Sequence, residues 1–249
     1  MANVLVTRSR NADIATSYLA AYAAQLVDKA IQMGHTVTDL YGSEVTLENF
    51  EAEIEAHNIF LGYGHGSKSI FLGSKINEHS EVLLKAGVNS NLLSGKKVNL
   101  TSCLTGITLG PKMVEETALE FYGYVGDWVF VYHPEYYPDR VLEDPYAQAF
   151  FDTALTTGCA VLSGKSPLEV FSETVARYEY WWNYWIRQED VMADDILTWL
   201  NWDRKNFIAI TPDGLYAPTV KAKAGNLLYL ALPLSAALGF LIISDRMEK

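Results

Sequence analysis

Cysteine is scarce in this chain: its 249 residues hold two, Cys103 and Cys159. Two thiols cannot build a disulfide framework, and neither stands in a Cys-x-x-Cys or Cys/His metal spacing. Positive charge is scarce as well, with 19 Lys+Arg against 30 Asp+Glu and a formal net charge of −11. A surface that displaces phosphate counterions needs clustered cations, so no nucleic-acid partner is expected. No repeat or low-complexity tract occurs. The first strand is not followed by the glycine-rich turn of a dinucleotide-binding unit; Thr7-Arg8-Ser9-Arg10 stands there instead. The opening residues, MANVLVTRSR, lack a basic stretch followed by an apolar one, so no secretory signal is read and the cytosol is the expected compartment.

What is present is an ordinary globular mixture, 49% apolar and 20% charged, which can bury enough surface to offset chain entropy. The length suits one α/β domain or two small ones. Val4-Leu5-Val6 reads as a first strand, and Ala12 to Met33 as a helix closed by Gly34. Thr36 to Leu40 is a second strand. Thr46 to His57, with its Thr-x-x-Asn start, is a short helix. Asn58 to Tyr63 makes a third strand running into Gly64-His65-Gly66. A short hairpin arm is expected over Ser69 to Leu72, with polar turns and a helical fragment from Ser80 to Gly95. Lys96 to Thr101 is a fourth strand that delivers Ser102-Cys103. Beyond it the pattern predicts a helix over Pro111 to Leu119, a strand over Tyr122 to Val131, and helices over Pro145 to Thr157, Pro167 to Ile186 and Val191 to Trp202. A final strand covers Phe207 to Ile210. Strands alternating with helices imply a largely parallel sheet covered on both faces.

In such a sheet ligands bind at the carboxyl ends of the strands. His65 ends the third strand and Cys103 the fourth, and consecutive strands are usually neighbours. A thiol beside an imidazole is the pair that a thiolate nucleophile needs. Gly64 and Gly66 leave room for a substrate backbone and offer N–H groups to an oxyanion. The competing reading is a buried structural thiol and a turn histidine. Cys159 is expected to be structural, and His35, His57 and His79 to be surface histidines. His133 lies in an aromatic loop with Tyr132, Tyr136 and Tyr137 that could border a cleft. The aromatic run Tyr178 to Trp185 is expected to be core or interface.

Asn58-Ile59-Phe60-Leu61-Gly62-Tyr63-Gly64-His65-Gly66 followed by Val98-Asn99-Leu100-Thr101-Ser102-Cys103 resembles the caspase-like (clan CD) cysteine peptidases, most closely their gingipain-like and CHAT-like branch. In that group one hydrophobic strand ends in His-Gly and the next in Ala-Cys or Ser-Cys. The resemblance continues through Leu109-Gly110-Pro111, Phe121 to Gly126, Ala147 to Gly158, Ser166 to Val170 and Asn206 to Asp213, and so covers about residues 3 to 215. It implies an α/β caspase-like three-layer sandwich over residues 1–220, in which Cys103 is the nucleophile and His65 the general acid/base. The N–H groups of Gly66 and Cys103 would form the oxyanion hole, and Asp127 would line a pocket selecting a basic P1 residue. Asp127 could equally be a solvated carboxylate at a strand end. A protein or peptide substrate would be the partner. No cofactor is required by that chemistry, although some relatives bind calcium. The alternative within the same family is a catalytically silent binding or scaffold module. A nucleotide binder of flavodoxin-like or Rossmann-like type is a further rival.

The remaining segment, 221–249, contains LLYLALPLSAALGFLII from Leu227 to Ile243, without a charge. As a helix at about 1.5 Å per residue it just reaches the lower limit for a bilayer core. Pro233 and Gly239 would equally divide it into two short core elements. Membrane association through this run is therefore an expectation held beside completion of the core.

Overall fold

The computed structural model describes residues 1–76, 79–218 and 220–223. Its main sheet has eight strands: β1 (Asn3–Arg8), β2 (Thr36–Tyr41), β3 (Ile59–Tyr63), β6 (Lys97–Thr101), β7 (Glu120–Tyr124), β8 (Phe207–Thr211), β9 (Gly214–Ala217) and β10 (Val220–Lys223). β4 (Ile70–Ile76) and β5 (His79–Lys85) form a separate antiparallel arm. The helices are α1 (Ile14–Gln32), α2 (Leu47–Ile54), α3 (Leu109–Glu115), α4 (Pro145–Leu162), α5 (Pro167–Trp185) and α6 (Ala193–Asn206).

The sheet runs β10-β9-β8-β7-β6-β3-β1-β2, parallel from β2 to β7 and antiparallel from β7 to β10. Alternation along each strand feeds two cores. Val4, Val6, Ile59, Leu61, Tyr63, Tyr122, Tyr124 and Phe207 meet α1, α4, α5 and α6 on one face. Leu5, Phe60, Val98, Leu100 and Phe121 meet α2, α3 and the arm on the other. The result is the expected three-layer α/β sandwich.

Local signals position the helices. Asp13 caps α1 through Thr16 N–H, and the left-handed Gly34 follows its last turn. Thr46 caps α2, Asp144 with Pro145 opens α4, and Ser166 and Glu169 form a capping box on α5, with Pro167 in its first turn.

Several boundaries differ from the sequence-based ones. The arm is a full hairpin with bulges beside Leu72, because Leu83 and Leu84 bury against α2 and the sheet; the stretch expected to be polar turns begins as a strand. α3 starts at Leu109 and ends four residues early. β7 stops at Tyr124, where Val125 N–H turns to the Asn206 carbonyl and the chain leaves the sheet. α6 runs on to Asn206. His57 is buried rather than superficial, held between the Glu53 carbonyl and the Thr38 hydroxyl. Of the aromatic run, Tyr178, Trp181 and Trp185 face the core while Tyr180 and Tyr184 are exposed, as a helical stripe requires. Among the described residues no helix is long and apolar enough to cross a membrane; Leu227 to Ile243 lies outside them.

The strand order places the reversal of winding between β1 and β3. From β1 the chain passes through α1 to β2, then through α2, on the opposite face, back across β1 to β3. Two loops diverge at the carboxyl ends of β1 and β3, opening the crevice where α/β sheets bind ligands.

Candidate functional site

His65 and Cys103 occupy equivalent places on neighbouring parallel strands. β3 pairs with β6 so that Tyr63 lies opposite Thr101, and each reactive residue follows two positions later. The two loops touch. A Cβ added to Gly66 would come within 3.0 Å of the Cys103 carbonyl oxygen, 2.8 Å of Thr105 Cγ2 and 3.1 Å of Ser102 Cβ. The His65 loop is braced from the other side by the arm, through Leu72 N–H to the His65 carbonyl and Ser67 N–H to the Ile70 carbonyl. Among the described residues, neither the Gly66 nor the Cys103 N–H donates a hydrogen bond.

The chain turns sharply after the cysteine. Leu104 adopts φ 61°, a left-handed conformation unfavourable for a branched side chain, and its N–H donates to the Gly126 carbonyl at 2.9 Å. Gly106 N–H then reaches the Tyr124 carbonyl at 2.8 Å. Strain of this kind persists where surrounding bonds over-determine it, and it is frequent at active sites.

The histidine has a partner that sequence reasoning did not identify. His65 Nε2 lies 3.2 Å from Asp13 Oδ2, while Asp13 Oδ1 accepts Thr16 N–H at 2.8 Å as the cap of α1. Burial opposes ionisation of Asp13, but the bonds from His65 and Thr16 outweigh it and hold the carboxyl below its usual range. A carboxylate can only accept here, so Nε2 carries the proton in this contact. The cap rule was the available signal: an Asp just after β1, immediately before the helix, at the winding reversal.

Cys103 is partly exposed, and its sulfur lies 3.8 Å from the Trp128 carbonyl oxygen. The neighbouring residue, Asp127, is exposed, and its carbonyl accepts Trp202 Nε1–H at 2.8 Å. Burial pushes the Cys103 thiol up, and the negative charge of Asp127, then that of Asp203, adds to the effect, against a backbone hydrogen bond of Trp128; together they bring it to about 12. Asp203, on α6, is the second residue missed. It is fully buried, accepts Val129 N–H with Oδ1 at 3.1 Å, and leaves Oδ2 without a partner among the described residues. Its place on the buried stripe with Ile196 and Leu200 was legible as an acid among apolar neighbours.

Of the residues singled out, the fold sets Gly66 against the Cys103 loop and Cys103 against the loop that carries Asp127, while the His65 imidazole contacts Asp13 on the side of β1 and the Cys103 sulfur contacts Trp128 on the side of β7. His133 is elsewhere, with its N–H on the buried Asp144 carboxylate. Cys159 lines a separate hollow of about 330 Å³ between α1, α4 and α5, with Lys29 and Lys165. Among the described residues no group of three or more acidic, His or Cys side chains is placed to hold a metal. No family model matches the chain, and no curated protein matches it in sequence.

Proposed function

We propose that the chain is a cysteine peptidase that cleaves protein or peptide substrates through Cys103 and His65, after a basic P1 residue. The observation that carries the reading is the placement of Cys103 and His65 at matching positions beyond two adjacent parallel strands, with Gly66 seated on the Cys103 carbonyl. In the first step His65 Nδ1 takes the thiol proton and the sulfur bonds to the scissile carbonyl carbon. The electron pair displaced onto the carbonyl oxygen is met by the Gly66 and Cys103 N–H groups, which have no other acceptor among the described residues. His65 then gives its proton to the departing amine as the C–N bond breaks. Water, deprotonated by the same imidazole, releases the acyl group from sulfur. Asp13 keeps the proton on Nε2 and steadies the imidazolium that forms.

The same strand order serves nucleotide-binding proteins, but the first loop argues against that use here. Ser9-Arg10-Asn11-Ala12 has no glycine to let a phosphate approach, and the carboxylate of Asp13 occupies the cap of α1, the position an anion would need. A catalytically silent module is the second reading, favoured by the protonated state of the resting thiol at neutral pH. The test is cleavage of a P1-scanning peptide library by wild type, Cys103→Ala and His65→Ala, with the folds checked by thermal melting. Loss of several orders of magnitude in both variants is expected, because such residues act as a unit. Wild-type activity in Cys103→Ala rejects the peptidase, and a folded wild type inert toward every peptide favours the silent module.

A further inference from the structure

The segment 124–129, which carries on from the end of β7, lies between the turn after Cys103 and helix α6 and is bonded to both in alternation. The carbonyls of Tyr124, Gly126 and Trp128 face the turn, meeting Gly106 N–H at 2.8 Å, Leu104 N–H at 2.9 Å and the Cys103 sulfur at 3.8 Å. The groups between them face α6. Val125 N–H donates to the Asn206 carbonyl at 2.9 Å, the Asp127 carbonyl accepts Trp202 Nε1–H at 2.8 Å, and Val129 N–H donates to Asp203 Oδ1 at 3.1 Å. Gly126 packs directly on the helix, since a Cβ there would meet the Asn206 side chain at 2.6 Å. The last turns of α6 thus support the cysteine turn through a single extended stretch of backbone.

One peptide unit of that stretch touches the sulfur itself. Trp128 and Val129 share a planar amide whose C=O and N–H point in opposite directions, so fixing one end aims the other. The N–H end is fixed by Asp203, which has no exposed surface, and the C=O end meets Cys103 Sγ. We propose, resting on the peptidase reading, that Asp203 is a positioning residue for the nucleophile: by holding Val129 N–H it aims the Trp128 carbonyl at the Cys103 sulfur and keeps the turn seated. The next residue, Leu104, stands at φ 61°, a conformation that persists only while surrounding bonds over-determine it. Those bonds come from Gly126 and its neighbours, and α6 holds them in place.

The test combines peptide cleavage with thiol reactivity. Asp203→Leu removes the acceptor, and Asp203→Asn keeps it as an amide oxygen. Trp202→Phe deletes another bond to the same segment from an exposed position. Cys103 and Cys159 are alkylated with iodoacetamide on the folded full chain and followed separately by mass spectrometry. Cys159, in the hollow between α1, α4 and α5, reports any general loosening. In Asp203→Leu the Cys103 rate should rise several-fold relative to Cys159, because the loop opens locally. Its kcat for a cleaved peptide should fall about ten- to a hundred-fold with KM little changed. Asp203→Asn should match the wild type in both readouts, and Trp202→Phe should move both in the direction of Asp203→Leu, by less. A folded Asp203→Leu with the wild-type ratio of the two alkylation rates overturns the proposal, and so does one in which both thiols speed up together. Should Asp203→Leu fail to fold, a wild-type ratio in Trp202→Phe overturns it. Asp203→Asn behaving like Asp203→Leu overturns it too, because the charge and not the bond would then be at work. A folded wild type that cleaves no peptide counts against the peptidase reading alone, and the alkylation rates still decide the positioning.

Discussion

Asp13 and His65 are separated by 52 residues in the chain and by 3.2 Å between Oδ2 and Nε2. The contact bridges the ends of β1 and β3, the two strands between which the winding of the sheet reverses. One carboxylate thereby fastens the start of α1 with one oxygen and fixes the imidazole with the other. The helix cap and the candidate catalytic site share a residue.

Asp13→Asn separates the two duties. An Asn oxygen still caps α1, but its amide presents a donor to Nε2 and favours the wrong tautomer. We expect kcat to fall about ten- to a hundred-fold, the scale of a misoriented catalytic group, with little change in Tm. Asp13→Ala should lose, in addition, about 1 kcal/mol of stability with the cap. An Asn variant with full kcat would remove Asp13 from the mechanism. Acid should act in the same direction. The folded carboxyl titrates below its unfolded value, so the stabilisation is complete above the ordinary Asp range and is lost as pH falls through the lower, folded one.

Gly66→Ala tests the seam between the two loops. The new Cβ would meet backbone oxygen and two side chains at 2.8 to 3.1 Å, so the His65 and Cys103 loops must part by a few tenths of an ångström. The residue lies on a partly exposed turn, so the fold should survive with a melting temperature within a few degrees. Activity should drop by ten-fold or more, mostly in kcat, because the imidazole and the oxyanion donors shift relative to the sulfur. Retention of wild-type kcat would show that the two loops work independently.

The sheet and both reactive residues were legible because they rest on local signals. Apolar alternation marks β1, β3 and β6, and the strand ends carry His65 and Cys103 next to glycine or serine. What escaped depends on tertiary partners. Leu83 and Leu84 make β5 a strand only because α2 and the sheet offer them a core. β7 is cut short at Tyr124 by a backbone bond to Asn206, far along the sequence. Asp13 looks like a solvated loop residue until β3 folds against it, and Asp203, though on the apolar stripe of α6, shows its partner only when the loop after β7 meets it. An acid's role depends on what lies within 3 Å of it, which periodicity alone does not report.

Asp144 is the structural counterpart of these acids. It has no exposed surface and accepts Tyr18 Oη–H at 2.7 Å, His133 N–H at 2.8 Å, Tyr146 N–H at 2.9 Å and Ala147 N–H at 3.3 Å. It therefore ties α1, the aromatic loop and the start of α4 together. Asp144→Ala strands four donors, two of them on fully buried residues, and should cost about 3 to 5 kcal/mol, measurable by urea unfolding. A loss under 1 kcal/mol would mean that water replaces the carboxylate and that the loop does not depend on it.

Asp203 should behave in the opposite sense. Burial lifts its carboxyl well above the ordinary range, against the lowering effect of the Val129 N–H bond. The folded state thus holds a proton that the unfolded chain releases near pH 4. Its contribution is full below that unfolded value and is lost progressively as pH rises toward the folded one, at up to about 1.4 kcal/mol per pH unit. Asp203→Asn is neutral at every pH and can still accept Val129 N–H through its amide oxygen. It should match the wild type near pH 4 and become the more stable protein as pH rises, with the gap widening toward neutrality. Urea unfolding of both proteins from pH 4 to pH 8 measures that gap. Parallel curves would place the Asp203 titration at its ordinary value.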